Sequence, residues 1–203
     1  MMLKKEVKIL VRLGFPEEAN NSEWGTFYFP QRKAKTNRVR FLSDFRNLNR
    51  QLKRKPYAMA KIREMLLHLE GFQYATPLEL NLGYYHIRFR KQDSNLCTII
   101  LPWVKYQYKC LPMGVSNSPD IYQEKMDQMF HGFEFIRAYI DELLIIKKGD
   151  WSNHLEKSEL NIQKFKYNEL KCNIEKSFFG QTEMEYLGFW VTWTGIRPIN
   201  KKV

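Results

Sequence analysis

Long apolar runs are missing from this 203-residue chain. No stretch approaches the roughly 20 consecutive apolar residues of a membrane-spanning helix, and the lysine-rich opening over residues 1–8 lacks the apolar centre of a secretory leader. Cysteine is scarce: Cys97, Cys110 and Cys172 are odd in number, far apart and in no Cys-x-x-Cys pair. That excludes a disulfide framework and a zinc ribbon. The expectation is an intracellular, reducing setting with no membrane partner, cytoplasmic and nuclear residence being equally open. No glycine-rich phosphate loop is present, and His68, His86, His131 and His154 have no ligand spacing. Acids are almost absent from one stretch. Between residues 31 and 63 a single acid, Asp44, stands against twelve lysines and arginines, which is the whole formal excess of +11.

Positive charge concentrated in this way suits a phosphate-bearing partner, because each phosphate neutralised by Lys or Arg releases a condensed counterion. A solvated basic loop that binds nothing fits the same composition. Hydrophobic residues at 44% and aromatics at 15% supply the core of one domain, in one or two lobes, so a wholly disordered chain is excluded.

Apolar spacing predicts a helix over 4–13, then strands over 26–30 and 38–44 joined by a basic loop at 31–37. A helix over 60–69 follows, with strands over 72–80 and 86–90 and a hairpin of 97–101 with 104–111. Pro119 opens a helix running to Phe130. Strands over 136–139 and 143–146 flank a tip at Asp141-Glu142, a helix covers about 152–167, and a last hairpin runs from 186–192 into Thr194-Gly195. Hairpins interleaved with helices make the chain α+β.

Two acidic positions interrupt apolar strands: Glu79 between Leu78 and Leu80, and Asp141-Glu142 within 139–146. A buried charge is costly unless it is paired. Carboxylates on neighbouring strands are suited to share divalent cations, and a metal pair clamps the attacking and leaving oxygens of phosphoryl transfer. Magnesium suits such oxygen ligands. The plainer reading leaves Glu79 facing solvent from an edge strand and Asp141-Glu142 as an ordinary polar turn.

The order of several segments resembles one family. Arg38-Val-Arg-Phe-Leu-Ser-Asp-Phe-Arg-Asn-Leu-Asn49, Lys55-Pro-Tyr-Ala-Met-Ala-Lys-Ile62 and Tyr74-Ala-Thr-Pro-Leu-Glu-Leu-Asn-Leu-Gly-Tyr-Tyr-His-Ile87 resemble the fingers and first palm motif of reverse transcriptases. Leu111-Pro-Met-Gly-Val-Ser-Asn-Ser-Pro-Asp-Ile-Tyr-Gln123, Tyr139-Ile-Asp-Glu-Leu-Leu-Ile145 and Glu185-Tyr-Leu-Gly-Phe189 follow in the family's order. The likeness runs from about residue 13 to 203 and is to the polymerase domain of gypsy-type long-terminal-repeat retrotransposons. It implies one reverse transcriptase domain over 1–203, with right-hand fingers and palm subdomains, an antiparallel palm sheet with packed helices, and no thumb. The implied activity is RNA-directed addition of deoxynucleotides to a primer 3′-hydroxyl.

By the same resemblance, Glu79, Asp141 and Glu142 bind two magnesium ions and carry the catalysis. Lys33 and Arg40 hold the incoming triphosphate, Tyr84 stacks under its sugar, and Gln123 lies near template base and nucleotide. Tyr186, Leu187 and Gly188 form the primer grip. The implied partners are an RNA template, a DNA primer and deoxynucleoside triphosphates. On residue type alone Tyr84 reads equally as a core aromatic, Gln123 as a helix-surface amide, and 186–188 as core strand, while Asp44 and Arg46 read as an ion pair.

The sequence departs from the family at the metal ligands, where aspartate is expected in place of Glu79 and Glu142. Each extra methylene adds about 1.5 Å of reach. Three readings follow: a polymerase domain of weakened activity, a nucleic-acid-binding remnant with an impaired metal site, or a structural relic with no partner. Pro77 removes a ladder donor unless its strand is an edge or bulge. Ser158 falls on the apolar stripe of its helix, and Glu169 stands where the family ends that helix with glycine.

Overall fold

Val7 and Leu10, three residues apart in the lysine-rich opening, are both buried, and they seat helix α1 (Met2–Arg12). The helix stops at Gly14, whose φ of +77° turns the chain at no steric cost. The computed structural model describes residues 2–19, 21–32, 39–67, 69 and 71–199. The chain divides into two compact units, Met1–Pro56 with Tyr84–Pro119, and Tyr57–Gly83 with Asp120–Val203.

In the first unit, β1 (Pro16–Glu18), β5 (Thr98–Leu101) and β6 (Val104–Tyr108) form an antiparallel sheet in the order β1-β6-β5. Strands β2 (Tyr28–Arg32) and β3 (Val39–Ser43) form an antiparallel pair that sets Gln31 opposite Arg40. Short helices α2 (Arg46–Gln51) and α4 (Lys91–Ser94) complete this unit. Its core gathers Val7, Leu10, Phe41, Phe45, Ile99 and Tyr108. The predicted strand over 86–90 is absent. A 3-10 turn, Gly83–His86, occupies its start, and only an isolated bridge joins Arg88 to Cys110. The turn buries Tyr85 against Phe15, ring centroids 4.7 Å apart, so strand alternation is lost there.

In the second unit the central sheet has the order β4-β8-β7, from β4 (Tyr74–Glu79), β7 (Ile136–Tyr139) and β8 (Glu142–Lys147). Residues 74, 76 and 78 of β4 face one side. Helix α6 (Trp151–Tyr167) packs there, and Thr76 Oγ1 meets His154 Nε2 at 2.9 Å. The opposite face, with Ala75, Leu144 and Ile146, shares a core with Met184, Tyr186 and Val191. Those three come from β9 (Glu183–Tyr186) and β10 (Phe189–Thr192), which continue antiparallel into β11 (Gly195–Pro198). The predicted single strand over 186–192 is therefore two strands. Leu187 and Gly188 have φ of +50° and +81° and make the tight turn between them.

Helix α5 (Ser118–Met129) follows the Pro119 signal. Helix α3 is only Ile62–Leu66, shorter than the predicted 60–69. Pro77 is accommodated because β4 is the sheet's edge. The outward groups at 75, 77 and 79 pair with the returning chain, Ala75 with Gln181 and the Pro77 carbonyl with the Phe178 N–H at 3.0 Å, so the missing donor lies on the side away from β8.

The helix α6 departures also have structural expression. Ser158 is buried and returns its hydroxyl to the His154 carbonyl at 2.9 Å. Glu169 has φ +55°, the left-handed region that favours glycine after a helix. Among the described residues no helix is long and apolar enough to cross a membrane.

Candidate active site

The β7–β8 hairpin is closed by the pair Tyr139 and Glu142, so its two-residue tip is Ile140-Asp141. The tip expected at Asp141-Glu142 is thus shifted by one residue, and Glu142 opens β8. Ile140 has φ +52°, rare for a β-branched side chain. It is held by Gln123, whose Oε1 accepts the Ile140 N–H at 2.7 Å. Gln123 Nε2 donates to the Ala138 carbonyl at 2.9 Å and to Asp127 at 2.9 Å. On the other side, the Leu80 N–H donates to the Asp141 carbonyl at 2.7 Å. Gly83 permits a close pass, since a Cβ there would lie 2.6 Å from the Tyr122 hydroxyl and 3.4 Å from Asp141 Cβ.

Strand register sets Glu79 directly opposite Glu142. Because the adjacent bond runs from Leu80 to Asp141, the two glutamates form a non-hydrogen-bonded pair, with Cβ atoms about 5 Å apart. Neither carboxylate is left to water alone. Lys176 donates its ammonium to Glu79 Oε1. The segment carrying Lys176 is fixed on the backbone of Glu79: the Asn173 N–H donates to the Glu79 carbonyl at 2.8 Å, and the Glu79 N–H donates to Ser177 Oγ at 3.2 Å. The backbone N–H of Leu187, in the β9–β10 turn, favours the ionised form of the Glu142 carboxyl. Burial pushes the Glu142 carboxyl above its ordinary range, the Leu187 N–H opposes that rise, and the carboxylates of Asp141, Glu79 and Glu185 add to it.

These groups line one cavity of about 240 Å³, bounded by Pro77–Glu79, Glu142, Lys176 and the Glu185–Gly188 turn. Two sets expected from the sequence, the carboxylates Glu79 and Glu142 and the primer-grip residues Tyr186, Leu187 and Gly188, are thereby brought together. Tyr186 itself is buried, its ring in the core and its hydroxyl 3.4 Å from the Arg137 carbonyl. Desolvation raises its hydroxyl pKa.

The donor set has the right chemistry for a hard divalent cation but not the arrangement. Among the described residues no group of three His, Cys, Asp or Glu side chains is placed to hold a metal ion, and Glu79 already has an internal cation. As folded, Glu79, Asp141 and Glu142 do not fit the expected pair of ions.

The nucleotide-contact residues divide between the units. Lys33 lies outside the described residues. Arg40 is in β3 opposite Gln31, and Tyr84 is half-buried in the 3-10 turn. Gln123 is buried, its amide taken up by the hairpin. Asp44 and Arg46 form the expected pair through two contacts of 2.6 and 2.8 Å, and the guanidinium lowers the Asp44 carboxyl to about 2. Two residues escaped the sequence reading. Lys176 sits in an unremarked polar run, and Asn49 clamps the Pro112-Met113-Gly114 turn, donating to the Gly114 carbonyl and accepting the Ser116 N–H, both at 2.8 Å.

The site is thus an antiparallel sheet with acidic residues in register, a tight hairpin tip at its end and the 187–188 turn on the cavity. The family described as reverse transcriptase (RNA-dependent DNA polymerase) matches residues 31–191, and the chain belongs to it.

Among curated proteins the chain is 27% identical over 206 residues to the retrovirus-related Pol polyprotein from transposon opus of Drosophila melanogaster, covering 99% of the chain and 20% of that protein. It is 26% identical over 196 residues to the enzymatic polyprotein of Soybean chlorotic mottle virus, covering 95% and 28%. The chain thus spans less than a third of the length of these relatives. Among solved structures, the foamy viral protease-reverse transcriptase in complex with double-stranded DNA superimposes with a TM-score of 0.92 at 19% identity, covering 98% of this chain and 35% of that one. The same viral protein with an RNA/DNA hybrid gives 0.89 at 19% identity, covering 98% and 26%. The shared fold is fingers and palm.

Proposed function

We propose that residues 1–203 act as one reverse transcriptase domain of a gypsy-type retrotransposon, binding an RNA template and a DNA primer whose terminus rests at the Glu79–Glu142–Leu187 cavity. The observation that carries this reading is the convergence of Glu79, Glu142 and the 186–188 turn on one space of about 240 Å³. The similar viral structures held double-stranded DNA and an RNA/DNA hybrid, which supports nucleic acid as the partner. In this reading Lys33 and Arg40 contact the phosphates of a deoxynucleoside triphosphate, arginine by a bidentate grip and lysine as a point charge. Tyr84 contacts the sugar, and Gln123 acts by holding the Ile140-Asp141 tip.

The family's reaction joins a nucleotide to a primer 3′-hydroxyl with release of pyrophosphate. It draws on two magnesium ions, for which Glu79, Asp141 and Glu142 are the corresponding ligands. As folded, those side chains do not fit the ions. Nucleotide addition by this chain is accordingly weak, since misplacement by about 1 Å costs on the order of 100-fold in rate. The second reading, a nucleic-acid-binding remnant, is favoured by the Lys176–Glu79 pair.

Two measurements test the proposal. RNA–DNA hybrid binding titrated with salt should show log affinity falling linearly with log salt, with several phosphates neutralised, and a flat response refutes the nucleic-acid site. Primer extension on an RNA template with magnesium or manganese should be near background for the natural chain and higher for Glu79→Asp with Glu142→Asp. If the double substitution keeps binding but gains no extension, the two glutamates are not what weakens the reaction, and the lesion lies elsewhere in the domain.

A further inference from the structure

At the cavity Glu79 is neutralised by the protein itself, through the Lys176 ammonium. The lysine is not there by a chance reach of its side chain. Its segment is fastened to Glu79 by two backbone-anchored bonds, from Asn173 N–H and to Ser177 Oγ, and Ser177 Oγ in turn donates to the Asn173 carbonyl at 2.8 Å. Lys176 is 58% exposed and Glu79 28%, so the pair is open to exchange with ions from solution.

We propose that Lys176 is the resident counter-cation of this carboxylate cluster: it neutralises Glu79 in place of a divalent ion, and a divalent ion enters only by displacing it. The fold of the cluster is therefore independent of metal. This rests on the assignment of Glu79 to the carboxylate set but not on any turnover, because its readout is cation binding.

The experiment measures Mn²⁺ binding and thermal unfolding of the full chain, each in chelator and in Mn²⁺ against sodium chloride of matched ionic strength. The natural chain should melt at the same temperature in chelator and in Mn²⁺. Lys176→Gln should bind Mn²⁺ about fivefold more tightly, the size expected on releasing a partly exposed ion pair, and should be stabilised by Mn²⁺. Lys176→Arg, which keeps the pair, should match the natural chain. Lys171→Gln removes the same charge nearby and should leave Mn²⁺ affinity unchanged. Equal Mn²⁺ affinity in the natural chain and Lys176→Gln overturns the proposal, as does a natural chain that melts higher in Mn²⁺. Should Lys176→Gln fail to fold, Lys176→Met and the natural chain's own indifference to chelator decide the matter. Gain of Mn²⁺ binding without primer extension in any variant would retain the counter-cation and remove the polymerase reading.

Discussion

Gln123 and Ile140 are joined by a 2.7 Å hydrogen bond from the Ile140 N–H to the glutamine side-chain oxygen. One amide thus ties helix α5 to the backbone residue with the least favourable conformation in the hairpin, φ +52°. Gln123→Ala leaves a half-buried N–H and the Ala138 carbonyl without that partner. The expected loss is about 1–3 kcal/mol, read from the urea midpoint. Gln123→Glu keeps the acceptor but sets a like charge beside Asp127, so it should fall between the two. A change below about 0.5 kcal/mol in Gln123→Ala, no larger than an ordinary surface substitution, would show that the tip holds itself.

Glu142→Gln removes the charge of the carboxyl and keeps its shape. The Glu142 carboxyl titrates above its ordinary range through burial, with the neighbouring carboxylates adding to the rise. The folded state therefore holds a proton that the unfolded chain has already released. Stability falls as pH rises from the ordinary carboxylate range through the raised value. Glutamine cannot ionise. Glu142→Gln should be the more stable protein at neutral pH, and the advantage should vanish below about pH 4, as followed by thermal unfolding across pH.

Asn161 is completely buried on α6, and neither its side-chain oxygen nor its nitrogen has a hydrogen-bond partner. An unmade buried hydrogen bond costs about 1–3 kcal/mol, and leucine has a similar shape. Asn161→Leu should raise stability by about 1 kcal/mol in denaturant unfolding. An unchanged or lowered midpoint would mean that the amide has a role in the folded protein.

Glu169→Gly removes a left-handed conformation from a residue with a Cβ. That strain is worth roughly 1–2 kcal/mol, partly offset by the greater freedom of glycine in the unfolded chain. The melting temperature should rise by roughly 2–4 °C. A fall would show that the Glu169 side chain contributes more than its backbone costs.

Local pattern made much of this legible. The strands over 136–139 and 143–146 and the helix over 152–167 lie within a residue or two of β7, β8 and α6, because period and flanking turns are properties of neighbouring residues. The Leu187-Gly188 turn was hidden by apolar residues on both sides, and only the positive φ values at both positions reveal it. Tyr85 broke the reading of 86–90, since its burial against Phe15 depends on a residue seventy positions away. The same limit applies to the site. Glu79 and Glu142 drew attention as charges within apolar strands, whereas Lys176 meets Glu79 across ninety-seven residues. Nothing in the Asn173–Ser177 composition signals that pairing.

The outer margin of β4 is closed along its length by residues 173–181, with Pro77 at its centre. A bare margin of that kind recruits strands from other chains. Here the returning segment and the proline leave no open ladder for a second molecule to extend. That seal removes the β4 margin as a place where another chain could add a strand.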